Sequence, residues 1–319
     1  MKESVFVREN APKWKHFESV ISKRSKASAD ELADYYIRVT DDLAYAATFY
    51  PDSKTTNYLN QLSRSFHSGI YQNKRERASR ILHFFKFEIP EAVYHCHRQL
   101  FYAFIFFMLA ILVGVVSSLY ESGFVRQILG DEYVNMTLSN IEKGEPLAVY
   151  KSMSPGAMFL GISSNNIYVA VVAFVYGIFF SVGTVYFLVQ NGLMVGAFVT
   201  MFAQKGLLKV ALLGIFLHGA LELSAIVIAG AAGMAIGNSL LFPGTYSRVE
   251  ALTRAGNRAV KMVVGLVPIF IVAAIFESFV TRYSAELPVF FSLAIIVSSF
   301  TFIIWYFIIL PIQLKSKYK

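Results

Sequence analysis

The chain has 319 residues and a formal net charge of +8, with 55% apolar, 15% aromatic and only 16% charged residues. A soluble domain usually carries about 25% charged residues, and here Lys, Arg, Asp and Glu crowd residues 1–99 while long tracts after Leu100 have none. The single cysteine, Cys96, excludes an internal disulfide framework and any multi-cysteine zinc or iron–sulfur centre, and the excess basic residues sit beside apolar runs, where anionic lipid rather than nucleic acid is the counter-charge.

The first residues, MKESVFVREN, hold no apolar signal core, so no cleaved export peptide is expected. In ASADEL, Ser28 as N-cap and Glu31 three residues later form a capping box. Leu32, Tyr35, Val39, Leu43, Ala46 and Tyr50 then recur every three or four residues until Pro51 stops the run. Leu59, Leu62, Phe66 and Ile70 continue the spacing in a second run. Two amphipathic helices, packed as an antiparallel pair, are predicted within a cytoplasmic helical domain over residues 1–99. Its last part, RILHFFKFEIPEAVYHCHRQL, mixes basic residues with Phe84, Phe85 and Phe87 and breaks at Pro90. That mixture predicts an interfacial segment lying at the headgroup boundary, with a third bundle helix as the alternative.

A bilayer core of about 30 Å needs around 20 helical residues. Phe101–Tyr120 and Ile167–Val189 are uncharged and long enough; Gly192–Ala203 is apolar but short. Leu207–Gly237, Met262–Thr281 with its one acid Glu277, and Leu287–Leu310 complete the set. If the short piece crosses rather than re-enters, the basic stretch with Arg248, Arg254, Arg258 and Lys261 and the basic C-terminus fall on the side of the N-terminal domain. The positive-inside bias selects that arrangement. The expected fold is therefore all-α: a polytopic helical membrane protein of about six crossings, the third short, with a helical cytoplasmic N-terminal domain. Residues 100–319 form the transmembrane domain, the acid-rich loop 121–166 is extracytoplasmic, and both termini are cytoplasmic.

His218 and Glu222 are four residues apart in the fourth span and share one helical face. At 1.5 Å per residue they lie roughly 15–25 Å along the helix, where a charged acid costs about 2.5–3.5 kcal/mol on insertion scales. The pair must face protein or water, either as a cross-link between helices or as part of a proton or ion relay. Glu277 is the second intramembrane acid, toward the outer end of its span, where it either snorkels to water or pairs with Arg282 or a group on another helix. No metal and no cofactor are expected, because His-x-x-x-Glu supplies two ligands where catalytic zinc uses three. Ala229, Gly233 and Gly237 repeat every four residues, a small-xxx-small seam for close helix approach. Ala173, Gly177 and Ser181 do the same in the second span, and Gly192 with Gly196 in the short one. Asn165, Asn166, Gln190 and Asn191 fall at predicted span ends, as helix caps or as the lining of an ion path.

Four segments resemble the stage II sporulation protein M family: residues 165–198, HGALELSAIVIAGAAGMAIG (218–237), FPGTYSRVEAL (242–252) and AAIFESFVT (273–281). Toward the front, REN with Trp14, NYLNQLSRSFHSGIY (57–71) and FFKFEIPEAVYHCHRQL (84–100) resemble the longer branch with a helical N-terminal domain. The resemblance implies a multi-pass protein of the bacterial inner membrane. Members of the shorter branch act in engulfment during sporulation beside peptidoglycan-degrading partners, whereas long-branch members also occur in organisms that do not sporulate. The reading that follows is a non-catalytic membrane subunit of an envelope complex, with the soluble head binding partners and the spans organising other membrane proteins. The alternatives are a proton- or ion-linked transporter or channel using His218, Glu222 and Glu277, and a metal-dependent intramembrane hydrolase. The partners expected are membrane lipids, other membrane or envelope proteins, and optionally a second copy of the chain; nucleic acid is not among them.

Overall fold

A computed structural model describes residues 1–22, 29–71, 78–121, 123–151, 153–284 and 287–317. The described residues are almost wholly helical and contain no strand. They divide into two compact units, Met1–Arg80 and Ile81–Lys319.

The first unit holds α1 (Glu3–Ser22), α2 (Ala29–Phe49) and α3 (Lys54–Tyr71). The apolar stripe of α2 turns Val39 and Ala46 into a core with Leu59, Leu62 and Phe66 of α3. Sequence periodicity missed α1, whose Phe6, Trp14 and Phe17 complete that core. The Trp14 indole N–H donates to Asp42 at 2.7 Å, and Lys13 pairs with the same carboxylate at 2.6 Å. Ser28, the expected N-cap, and the side chain of Ile70 lie outside the described residues.

The second unit begins at Ile81, within α4 (Ala78–His83), and continues with a π-turn (Phe84–Glu88) and α5 (Ile89–His95). Residues 84–95 pack into the bundle rather than lying flat at its edge. Ile89, Ala92 and Val93 are buried in the main core, and a Cβ on Gly265 would meet Ile89 at 2.6 Å. Lys261 pairs with Glu88 at 2.8 Å, which ties this segment to the fifth long helix. Phe84 and Phe85 are half-buried against the same core.

Among the described residues, six helical stretches are long and apolar enough to cross a membrane: α6 (His97–Tyr120), α9 (Pro155–Val175) with its extension to Ile178, α10 (Val182–Gln204), α11 (Leu208–Leu241), α12 (Arg248–Ile275) with its extension to Tyr283, and α13 (Val289–Ile304) with its continuation to Ser316 in α14 (Leu310–Lys317). The chain is a multi-pass membrane protein. In three places the helices run differently from expectation. The second span begins at Pro155, so the segment between the first two spans is 121–154 rather than 121–166. The third span has 23 residues and is not short. The reversal between them falls at Tyr176–Ser181, inside the uncharged run 167–189 read as one helix, where Phe180 and Ser181 take positive φ of 51° and 69°. YGIFFS makes this turn with Gly177 and Ser181 set among large apolar residues, so no charge or proline marks it. The residues Arg248, Arg254, Arg258 and Lys261 are not in a loop: Ser247 caps α12, accepting from the Glu250 N–H, and all four lie on its first turns.

α11 is the axis. It is apolar all round and 61% of its membrane window is buried, against 22% for α6 and 17% for the last span, which present their side chains outward. A helix hydrophobic on every face belongs in the middle of a bundle. Close backbone contact makes this possible. A Cβ on Gly233 would stand 2.6 Å from the Ala173 carbonyl, and one on Gly192 would stand 2.8 Å from the Phe107 carbonyl. Gly177 faces Gly233, Gly237 faces Ser181, and Gly196 faces the backbone of α6 at Ile111 and Val115. Ala229 is fully buried in the same core. Thr184 donates to the Ala173 carbonyl at 2.7 Å and Ser181 to that of Met234 at 3.2 Å, so hydroxyls finish the seam that small residues open.

Between α6 and α9 the chain forms α7 (Phe124–Leu129), α8 (Asp131–Glu142) and a 3₁₀ turn (Ala148–Lys151). Val125, Val134 and Leu147 pack this segment onto Phe198 and Phe202 of α10 and Ala211 of α11.

Candidate functional site

α11 presents His218 and Glu222 on one face because they are four residues apart. Glu277 comes from another element. It follows α12 within a π-turn, Phe276–Val280, a wide helical turn often found at functional sites. The turn leads into a short 3₁₀ stretch, Thr281–Tyr283, which carries Thr281 toward α11. His218, Glu222 and Glu277 thereby meet: one potential ligand atom from each lies within 4.8 Å of the others. None of this is adjacency in sequence: the partner of Glu277 is a group on another helix and not Arg282. Its neighbour is His218, with Nε2 3.9 Å from Oε1. His218 Nδ1 is 3.1 Å from the Thr281 hydroxyl.

Arg282 faces elsewhere. Its guanidinium donates to the carbonyls of Tyr150, at 3.0 Å, and Met153. It thus holds the 3₁₀ turn at 148–151 over the acid–imidazole cluster. The Tyr150 ring lies 5.8 Å from that of His218. Burial, then the neighbouring Glu277, Tyr133 and Glu222, hold the Tyr150 phenol well above its ordinary 10. Burial likewise pushes the Tyr133 phenol up to about 12. Both phenols are therefore held neutral.

α9 supplies the third wall. Asn165 and Asn166 are not at a span end: they sit midway along α9, where the Asn166 side chain stands beside Glu222. Asn166 is 5% exposed, accepts from the Asn165 amide at 3.5 Å and turns its own amide toward Glu222. Ser163, one turn earlier, and Ser278, beside Glu277, are also buried with unpartnered hydroxyls. Gln190 and Asn191 lie in the middle of α10, away from any helix end; Asn191 donates to the Phe187 carbonyl at 2.8 Å on its own helix.

The basic residues at the start of α12 make separate contacts. Arg254 pairs with Glu250 at 2.8 Å and stacks over Tyr246, 4.2 Å from its centroid. Arg258 lines a cavity of about 250 Å³ with Glu88, Glu91, His95 and Lys261. Burial, and secondarily Arg258, lower the His95 pKa below its ordinary 6.5.

Sequence reasoning missed Tyr150, Tyr133 and Thr281 as members of the site. Thr281 had a signal: it follows Glu277 by four residues, the spacing of the His218–Glu222 pair. Tyr150 had none, because only the fold of the 121–154 segment brings it there.

A sequence profile described as Stage II sporulation protein M matches residues 103–282, which includes every residue of this cluster. A second profile, a domain of unknown function (DUF8413), matches residues 4–72, the three helices of the first unit. No curated protein and no solved structure matches the chain.

Proposed function

Because the chain belongs to the stage II sporulation protein M family, we propose that it is a non-catalytic integral membrane subunit of a cell-envelope complex in the bacterial inner membrane. Both termini are cytoplasmic in this reading, the helical head binds a soluble partner, and the spans organise other membrane proteins. The observation that supports it best is the division of labour in the chain. The head has its own core and its own family profile, separate from the family that covers the spans. A module with that independence contributes a binding surface to whatever the membrane unit assembles. Exposed Ile37 and Phe49 on α2 are apolar side chains available to a partner.

Crosslinking mass spectrometry on native membranes tests this. A reproducible set of crosslinks from Lys13, Lys15 and Lys54 of the head to one partner is the predicted result. Only intrachain crosslinks, together with full function of a chain lacking residues 1–72, would refute the reading.

A second reading is favoured by one specific observation, the meeting of His218, Glu222 and Glu277 within 4.8 Å. Intramembrane ionisable groups line proton and ion paths. Proton- or ion-linked flux through liposomes should then vanish in Glu222→Gln while abundance stays normal. Equal flux in wild type and variant would exclude that role.

A further inference from the structure

We propose that His218, Glu222 and Glu277 bind a divalent transition-metal ion of the zinc class, which fastens α11 to the end of α12. The site stands independently of the partner reading above.

The ligand count is the first argument. α11 alone offers two ligands, and the π-turn after α12 brings the third. An imidazole and two carboxylates are the N and O donors that zinc and its neighbours accept. The second argument is distance. His218 Nε2 and Glu277 Oε1 are 3.9 Å apart, too far for a hydrogen bond. Two ligands about 2.0–2.1 Å from a tetrahedral ion stand roughly 3.3 Å from each other, so a small side-chain adjustment closes the group around an ion. The third is orientation. The far nitrogen of His218, Nδ1, lies 3.1 Å from the Thr281 hydroxyl. A metal-binding histidine typically uses its other nitrogen in this way, which fixes the tautomer and aims the free lone pair of Nε2 at the metal.

Charge and hydrogen bonding give two further arguments. Two carboxylates placed side by side in a buried setting repel each other and lose their hydration. Arg282, five residues after Glu277, directs its Nε and Nη2 to the Tyr150 and Met153 carbonyls instead. A doubly charged cation balances both acids. Finally, the Asn166 side chain is buried and is the hydrogen-bonding neighbour of Glu222, so each of two ligands, His218 and Glu222, has a polar group that orients it. Three protein ligands leave one position of a tetrahedral ion to water. Thr281 and Asn166 are positioning residues in this arrangement, each holding one ligand.

The full-length protein is purified in mild detergent without chelator, and its metal content is measured by mass spectrometry. The expected result is about one equivalent of a single transition metal per chain, lost in His218→Gln and Glu277→Gln and kept in His97→Gln. Thr281→Val should retain the ion with affinity reduced roughly 10-fold or more. Should the ligand variants fail to accumulate, wild-type protein stripped of metal and titrated with Co²⁺ decides alone. The visible d–d absorption of a low-coordinate site supports the proposal, and its absence overturns it. A metal content unchanged by both ligand substitutions would overturn it as well.

Discussion

Gly233→Ala probes the seam that creates the dry interior. The added Cβ would lie 2.6 Å from the Ala173 carbonyl oxygen and 3.1 Å from Thr184 Cγ2, where ordinary contact begins at 3.4 Å. The first of these is backbone, so no rotamer change relieves it. α9 must back away by about 0.8 Å or α11 must tilt, and overpacking of this kind costs roughly 1–3 kcal/mol. The Thr184 hydroxyl also occupies that space while donating to Ala173 at 2.7 Å, and loss of a membrane hydrogen bond adds about 0.6 kcal/mol. The total, about 1.6–3.6 kcal/mol, is a roughly 15- to 400-fold fall in the folding equilibrium constant. Reversible unfolding in mixed micelles reads it directly. Gly161→Ala on α9 is the control, since nothing lies within 4 Å of its Cβ position. Replacing an unconstrained helical glycine by alanine gives a change between zero and about 1 kcal/mol of added stability. If Gly233→Ala proves as stable as Gly161→Ala, close approach at this point is refuted.

Four further outcomes follow from contacts elsewhere. Cys96 is 3% exposed and burial pushes its thiol up to about 11, so roughly 100-fold less thiolate than for an ordinary cysteine is available at pH 8; maleimide should label it only after denaturation, and rapid labelling of native protein would contradict its burial. Lys261→Met removes a 2.8 Å ion pair from Glu88 and should cost about 1 kcal/mol, because the lysine is partly exposed; unchanged stability would mean that the pair does not anchor residues 84–95. Arg282→Ala frees the Tyr150 and Met153 carbonyls, and hydrogen exchange at 148–151 should rise well above wild type while α11 stays protected. Trp14→Phe deletes the indole bond to Asp42 at 2.7 Å and should lower head stability by about 1–2 kcal/mol, with the membrane spans unaffected by circular dichroism.

Composition made the membrane class and the approximate number of spans legible, because long uncharged runs permit few other folds. What it could not give was where one run is cut into two helices. The stretch 167–189 shows no charge or proline at Tyr176–Ser181, and the turn there is set by tertiary contact between small residues. The same error displaced Asn165 and Asn166 to a span end and made α10 look short. The pair His218 and Glu222 was readable from helical spacing, since any helix places i and i+4 together. Glu277 was readable as an intramembrane acid, but its meeting with them depends on the packing of α12 against α11 and on a π-turn, neither of which leaves a local pattern. Tyr150 reaches the site from a loop whose path only the tertiary fold determines. In the head, the stripe on α2 was plain, whereas α1 was missed because its apolar residues Phe6, Trp14 and Phe17 are widely spaced among charges.

The most direct test of the buried acid–imidazole cluster is a solid-state NMR distance in liposomes. Protein labelled with ¹⁵N-histidine and ¹³C-glutamate should show dipolar dephasing from an imidazole nitrogen close to a carboxyl carbon, consistent with the 3.9 Å between His218 Nε2 and Glu277 Oε1. That dephasing should weaken in Glu277→Gln, leaving what Glu222 contributes from within 4.8 Å and what the His83–Glu88 pair contributes at 3.4 Å. Dephasing identical in wild type and Glu277→Gln would place the two side chains apart and contradict the account.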